Sequence, residues 1–406
     1  MKDVVVVGAG PAGMMAALRA AQGGCKVKLL DSNGFAGKKL NITGKGRCNV
    51  TNDCDLDTFL ANVARNGKFL YSAFAAFPPR ELMRFLEGRG VPLVVERGRR
   101  VFPQSSRARD VTDALTGALA EAGVRVRRGT VTALQLEDGV LRGVSCAGRS
   151  IAADAVIITT GGLSYPLTGS DGSGYTLARQ AGHTVVPTEG VLTPLLSPDA
   201  FCAELAGLSL KNVTLSLMGT DSKSVWREGP GELLFTHTGI SGPLVLTASS
   251  HWRTGLQVRI DLKPGLDEAQ LETRLLRDFE ERSAQEMGNA ARGLLPKSLV
   301  PAALALSGID TGTRAGAVTR PQRKALIGTL KAMPVRISAK APIAEAVVTR
   351  GGVDVREVSP KTMESKRVKG LYFAGEILDV DAYTGGFNLQ IAFCTGVAAG
   401  TAAAGQ

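Results

Sequence analysis

The sequence predicts an α/β protein whose parallel-sheet domain is discontinuous, interrupted by a β-rich insert that itself carries a helical subdomain. Three observations carry this. The chain opens as strand, glycine turn, helix, strand and acid within residues 4–31. Turn and breaker residues crowd at Pro187, Gly190, Pro194 and Pro198, and alternating strands follow them. Near the far end, the short apolar run Leu371–Ala374 meets Gly375, and a long alanine-rich helix follows, which closes a nucleotide fold rather than beginning a new domain. The boundaries drawn are 1–190 and 340–406 for the discontinuous domain, 191–265 and 318–339 for the β-rich insert, and 266–317 for its helical part.

The opening run Val4–Val7 leads into Gly8-Ala9-Gly10-Pro11-Ala12-Gly13, and Asp31 stands eighteen residues after Gly13, at the end of a second apolar run. Gly8 permits the tight turn, Gly10 lets the backbone approach a pyrophosphate, and Gly13 allows close helix–strand packing. The helix N-terminus offers N–H groups to phosphates, and the acid accepts from an adenosine ribose. This is the Rossmann dinucleotide fingerprint in its strand–turn–helix context. Next comes a glycine- and lysine-rich loop, 37–52, with neither helical nor strand periodicity. Helices are expected near 56–76 and 79–89, then a hairpin over Val91–Glu96 and Val101–Phe102 with Gly98 in its turn. A helix over 108–122, strands from Val124 to Ile151 and a buried strand Ala155–Thr160 complete the first part. In the insert, strands are expected at 213–218, 232–236 and 256–262, and helices at 267–287, 296–306 and 321–332. Strands return at Val335–Ile337 and Ala346–Thr349 before the closing helix 388–403.

Composition narrows the class. With 406 residues, 44% of them hydrophobic, the chain can bury the cores of two or three domains. Few aromatics (5%) beside 49 glycines suit an α/β enzyme rich in backbone turns. The net charge is +11, yet no long basic block and no aromatic-interleaved basic stripe occurs. Arg97–Arg100 and Arg125–Arg128 read as solvated loop or strand charges, so an anionic cofactor or acidic substrate is the more economical use of the excess, and no specific nucleic-acid partner is expected. The six cysteines form no CxxC and the three histidines do not cluster, so no metal is expected and a reduced, cytoplasmic compartment is. The first strand occupies the N-terminus, so no signal peptide is expected, and no apolar run approaches membrane-spanning length. Oligomeric state leaves no signature.

A second motif names the nucleotide. Gly370 to Asp379, continuing through Gly385-Gly386-Phe387-Asn388-Leu389-Gln390, reads as the second FAD-contacting motif of flavoproteins: an apolar strand, then glycine and an acid for the ribityl chain, then a helix aimed at the flavin pyrimidine. Reduced flavin carries negative charge near N1, which a helix N-terminus stabilises. No second GxGxxG exists to hold a resident nicotinamide domain, because Gly161-Gly162, Gly169, Gly172 and Gly174 lack its spacing and helix context. Transient access of NAD(P)H to the flavin face stays open.

Four stretches, GKKLNITGKGRCNVTN at 37–52, TTGGLSYPLTGSDGSGYTLARQAGH at 159–183, GELLFTHTGISGPLVL at 231–246 and LYFAGEILDVDAYTGGFNLQIAFCTGVAAG at 371–400, carry a resemblance that runs nearly end to end. The chain resembles the aminoacetone-oxidase-like group of bacterial FAD flavoproteins, which includes a 3-dehydro-bile-acid Δ4,6-reductase. The resemblance implies non-covalent FAD in a discontinuous domain. It also implies roles by position. Gly8, Gly10, Ala12 and Gly13 would line the pyrophosphate and Asp31 the ribose. Lys39, Thr43, Gly44, Arg47, Cys48 and Asn49 would flank pyrophosphate and flavin, with Val131 at the adenine through its backbone and Thr160 and Gly161 where a buried strand passes. Gly375, Glu376 and Asp379 would meet the ribityl chain, and backbone N–H groups of Gly386, Phe387, Asn388 and Leu389 the pyrimidine ring.

Candidates for catalysis are thinner. Cys48 and Cys54 echo the redox pair of disulfide reductases but have five residues between them where those enzymes have four, so Cys48 reads rather as a small buried thiol. His237 has the pKa range of a proton donor, or is simply bonded within its turn. Tyr383, Tyr165 and Arg47 could line a substrate site. The expected function is that of an FAD-dependent oxidoreductase passing hydride between flavin N5 and a small organic molecule, by amine or ketone oxidation or by reduction of an activated C=C bond. A flavin-binding sensor without turnover and an FAD-dependent enzyme of the tRNA-modifying type stand as alternatives.

Overall fold

Asp3–Val7 is a run of valines buried on both faces, and it takes the centre of a five-stranded parallel sheet. The order across that sheet is Leu371–Phe373, Ala155–Ile158, Asp3–Val7, Lys26–Asp31 and Val126–Arg128. The strand from the far end of the chain therefore pairs directly with Ala155–Ile158, in the register Val156 to Leu371. This computed structural model describes residues 1–221 and 223–405. The chain divides into two compact units, Met1–Val191 with Pro342–Gln406, and Leu192–Ala341.

In the first unit the opening helix, Pro11–Gln22, lies against the closing helix, Phe387–Ala404. Gly396 and Gly400 make that contact possible. A Cβ on either would stand 2.3 Å from a backbone oxygen of the opening helix, Ala12 O for one and Ala16 O for the other. The closing helix is apolar and, at 18 residues, long enough to cross a membrane, whereas the sequence suggested no such run; 72% of it is buried within the protein as a core helix.

Between Asp31 and Ala108 the chain departs from expectation. The single helix read over 56–76 is instead a helix Leu56–Ala61, a strand Val63–Arg65, a 3-10 turn Gly67–Leu70 and a second helix Tyr71–Ala76. The break has two causes: Asn66 is left-handed (φ 57°), and Val63–Arg65 pairs with Asp381–Ala382. The expected hairpin forms from Leu93–Glu96 and Arg100–Pro103, with Thr51–Asn52 as a third strand. Helices Ser173–Gln180 and Pro243–Ser249 were not legible from periodicity, each being short and entered through glycine.

The second unit is built on a seven-stranded antiparallel sheet whose longest members are Ser209–Met218 and Ser224–Thr236. Helix Glu268–Glu281 turns Leu271, Leu275 and Phe279 inward at helical spacing, into one core with the strands. Asp267 and Thr319 cap this helix and Arg320–Ala332 through capping boxes.

Candidate functional site

The parallel strands of the first unit end on one rim, and four of the sequence-derived stretches follow directly from them. Gly8–Gly13 follows Asp3–Val7, Asp31 closes Lys26–Asp31, Thr160-Gly161 follows Ala155–Ile158, and Gly375-Glu376 follows Leu371–Phe373. Ligands of open α/β sheets bind at this carboxyl rim.

The glycines of the opening turn have different reasons to be there. Gly8 has φ 103°, and a Cβ on it would stand 2.6 Å from Thr159 O. A Cβ on Gly13 would stand 1.8 Å from Gly8 O. Both are required by the chain's own packing. Gly10 is not: its φ of −77° suits any residue, and a Cβ there meets nothing within 4 Å. The space over Gly10 lies at the N-terminus of a helix that no side chain caps, a place suited to a phosphate. Ala12 is buried, its methyl beside Gly375 and its backbone against Gly396, so its side chain is not open to a ligand.

Asp31 ties the turn to the next loop. One carboxylate oxygen accepts from Ala9 N at 2.8 Å, and the other from Asn33 N at 2.8 Å and Asn33 Nδ2 at 3.1 Å. A carboxylate accepts about four bonds, so room for one ribose hydroxyl remains.

Lys39 and Glu376 form a pair 2.8 Å apart, extended by two residues the sequence reading missed. Ser164 Oγ accepts from Lys39 at 2.6 Å and donates to Glu376 at 2.9 Å, while Thr349 N–H donates to the same Glu376 oxygen at 2.9 Å. Thr349 Oγ1 accepts in turn from Leu163 N and Ser164 N. Burial pushes the Glu376 carboxyl upward, but the Lys39 ammonium and these donors outweigh it and hold its pKa below the usual value. Glu376 is therefore ionised, with most of its accepting capacity already used.

Three of the expected positions are already engaged by the protein itself, through ion pairs or burial. Asp379 does not face an open rim: it is 3% exposed, and Arg65 Nε reaches its two oxygens at 2.7 and 2.9 Å, with Asn66 Nδ2 at 3.2 Å. Its position pins Val63–Arg65 to the 375–382 segment, and Asp379 Oδ1, close to Arg65 but in no hydrogen bond, leaves one buried acceptor unused. Cys48 is buried in a left-handed conformation, and burial pushes its thiol up to about 12; Cys54 is raised to about 11, and both are free. Burial thus disfavours both thiolates, in keeping with Cys48 as a small buried thiol. Arg47 lies 2.5 Å from Glu96 and 4.3 Å over the Phe102 ring.

The remaining positions divide by what they present. Asn49 Oδ1 and Thr160 Oγ1 are buried and without a partner, rare enough to point to a missing hydrogen-bond donor or acceptor. Gly386 (φ 99°) begins the closing helix, which no side chain caps; a Cβ there would lie 2.3 Å from Thr51 O and 2.9 Å from Asn49 Oδ1. Asn388 uses its side chain to clamp Ala382, at 3.0 and 2.7 Å, and Phe387 packs its ring near Phe59 at 6.3 Å, which leaves backbone N–H groups as what this entrance presents. Leu389 is partly buried there. Thr43 bonds Leu40 O, and Gly44 and Lys45 are left-handed in an exposed loop. Gly161 (φ 75°) turns the chain after Thr160, and Val131 is buried at the start of its strand, opposite Cys146. Tyr383 N–H donates to Asn62 O, beside the clamped Ala382. His237 lies in the second unit, exposed in the turn between Ser224–Thr236 and Gly239–Ser241.

The uncapped helix ends, the open face of Gly10 and the orphaned Asn49 and Thr160 oxygens suit the phosphates and polar groups of a dinucleotide such as FAD. Comparison with known proteins agrees. The family described as HI0933-like protein Rossmann domain matches residues 2–402. A ribosomal RNA dihydrouridine synthase of Escherichia coli is 34% identical over 399 residues, covering 96% of this chain and 95% of that protein. A 3-dehydro-bile acid delta(4,6)-reductase of Clostridium scindens is 33% identical over 414 residues, covering 100% and 99%. Among solved structures, a 3-ketosteroid-delta4-(5alpha)-dehydrogenase from Rhodococcus jostii has a TM-score of 0.51 at 16% identity, covering 100% of this chain and 97% of its own, a likeness of fold. The chain belongs to the HI0933-like Rossmann-domain family.

Proposed function

We propose that this chain, an FAD-dependent oxidoreductase by family, reduces a carbon–carbon double bond conjugated to a carbonyl, and that the bond belongs to a uracil ring in RNA. One observation supports the reading above others: two end-to-end relatives have names describing one bond change on unlike molecules. Dihydrouridine results when the uracil C5–C6 bond, conjugated to the C4 carbonyl, is saturated. A delta(4,6)-reductase of a 3-dehydro bile acid saturates ring bonds conjugated to the C3 carbonyl. In either case a hydride adds to the carbon remote from the carbonyl, charge develops on the carbonyl oxygen, and a proton closes the neighbouring carbon. When bound, the flavin supplies that hydride at N5. A reduced nicotinamide is the class of donor that replaces the two electrons.

The chain's own residues bind and orient. The opening turn and helix end would receive the pyrophosphate, and the uncapped end of the closing helix would favour negative charge on a flavin pyrimidine placed there by about 0.3–1 kcal/mol. The Lys39–Glu376 pair brings no net charge to the ribityl side. With Cys48 buried, Tyr383 is the candidate proton source in the first unit. RNA is favoured over a bile acid because the chain carries a net charge of +11, which suits a polyphosphate better than a molecule with a single carboxylate.

The test is an anaerobic one. Holoenzyme reduced with NADPH or NADH is mixed with uridine-containing rRNA lacking dihydrouridine, or with a 3-oxo-Δ4,6 bile acid. The reading expects the oxidised flavin spectrum to return with RNA and a uridine to gain the mass of two hydrogens. Return with the bile acid alone moves the substrate to the small-molecule class. Return with neither, and peroxide formation with an amine in air, moves the reaction to amine oxidation.

A further inference from the structure

The charge of this chain is not spread evenly. Residues 37–109, which lie between strands Lys26–Asp31 and Val126–Arg128 of the parallel sheet, hold fourteen Lys and Arg against six Asp and Glu, a net of +8 out of +11. Much of this is gathered at the three-stranded sheet of Thr51–Asn52, Arg100–Pro103 and Leu93–Glu96. Arg47 and Arg100 lie over the Phe102 ring, 4.3 and 5.8 Å from its centroid, and both reach Glu96, at 2.5 and 3.6 Å. That consumes the local carboxylate. Arg97 and Arg99, on the exposed turn of the hairpin, and Lys45, on the adjoining loop, form no ion pair among the described residues.

The turn is also held at a defined place. Asn52, nearly fully buried, donates from one Nδ2 to Gly98 O at 2.9 Å and to Gly385 O at 3.1 Å. A second bond, Asp53 N to Arg99 O at 2.8 Å, fixes the other flank. Gly98 is thus one side chain away from the entrance of the closing helix, the point that would face the reacting ring. Exposed guanidinium groups that form no ion pair, Arg99 feeling only the more distant charge of Asp55, fixed beside such an entrance, match a chain of phosphates on either side of a base that enters it.

We propose that the Arg97-Gly98-Arg99 turn, with Lys45, is the dock for the phosphate backbone of the RNA whose base is reduced. This rests on the RNA reading above. The test compares holoenzyme carrying Arg97→Glu and Arg99→Glu with wild type and with a control of equal charge change, Arg320→Glu and Lys324→Glu, both exposed on a helix of the second unit. The probe is a fluorescently labelled, uridine-rich single-stranded RNA, followed by anisotropy over a range of KCl concentrations. Two lost phosphate contacts should flatten the slope of log K against log salt by about 1.4 and weaken binding at low salt at least tenfold, while the control stays within about twofold of wild type. Flavin absorbance and melting temperature should match wild type in both, and Arg97→Gln with Arg99→Gln should show a smaller loss of the same sign. Wild type that binds no RNA overturns the RNA reading and the dock together. Wild type that binds, with the turn variant no weaker than the control, overturns the dock alone.

Discussion

Gly10→Ala separates the two reasons for glycine in a nucleotide turn. The residue has φ −77° and ψ −176°, which alanine adopts freely, and its added methyl meets no protein atom within 4 Å. Without FAD the variant should lose only a little helix-capping preference, less than about 1 kcal/mol, and melt within about 2 °C of wild type. A pyrophosphate packed over that position would meet the methyl directly. Overpacking of this kind costs about 1–3 kcal/mol, so FAD should bind about 5- to 150-fold more weakly. Gly13→Ala is the contrast: its Cβ would lie 1.8 Å from Gly8 O, a backbone atom, and 2.6 Å from Thr159 Oγ1, and the apoprotein itself should be severely destabilised. The assay is a thermal melt of both apoproteins followed by FAD titration with flavin fluorescence. Gly10→Ala that binds FAD as tightly as wild type, or that melts as low as Gly13→Ala, refutes the reasoning.

Other perturbations probe the electrostatics. Lys39→Met leaves Glu376 ionised without its counter-charge; because both groups are about one-fifth exposed, the loss should be about 1–3 kcal/mol rather than the full cost of breaking a buried pair. Adding Glu376→Gln should recover part of it, and denaturant unfolding of the two singles and the double measures that coupling. His183, whose pKa burial lowers despite Glu357 beside it, stays neutral when folded, so the stability it confers is present above about pH 6.5 and is lost as pH falls below that value. Glu357, held down to about 2 by its bond from Arg367 and by Thr184, adds a second loss between about pH 4.5 and 2; melting temperature against pH should show both steps, and His183→Gln should remove the first. Cys48→Ala should retain turnover, and iodoacetamide should leave Cys48 of the native protein unmodified by mass spectrometry, because its thiol is buried and raised to about 12.

What was legible in the sequence was local. The opening turn and the closing strand and helix declare themselves because strand, glycine and helix start are adjacent residues, and backbone sterics at Gly8, Gly13 and Gly386 leave no other choice. Long-range pairing was not legible. The helix expected over 56–76 breaks because Val63–Arg65 finds Asp381–Ala382, more than three hundred residues away. Asp379 has the right chemical type for a ribityl contact, but motif position does not reveal that Arg65 claims it. Ser164 and Thr349 complete the Lys39–Glu376 pair through bonds between distant segments, although Ser164 lies inside a stretch that already carried the family resemblance. Arg97 and Arg99 looked like ordinary solvated charges, because nothing in their spacing discloses the Asn52 bridge to Gly385.

The most direct measurement is the flavin content of the purified protein: its visible absorbance, then release and chromatography of whatever it holds. One FAD per chain, freed by denaturation without proteolysis and bound again by the refolded apoprotein, is the expected result. A colourless protein that takes up no FAD, or a flavin that stays covalently attached, would contradict the grip on the coenzyme derived for the two uncapped helix ends.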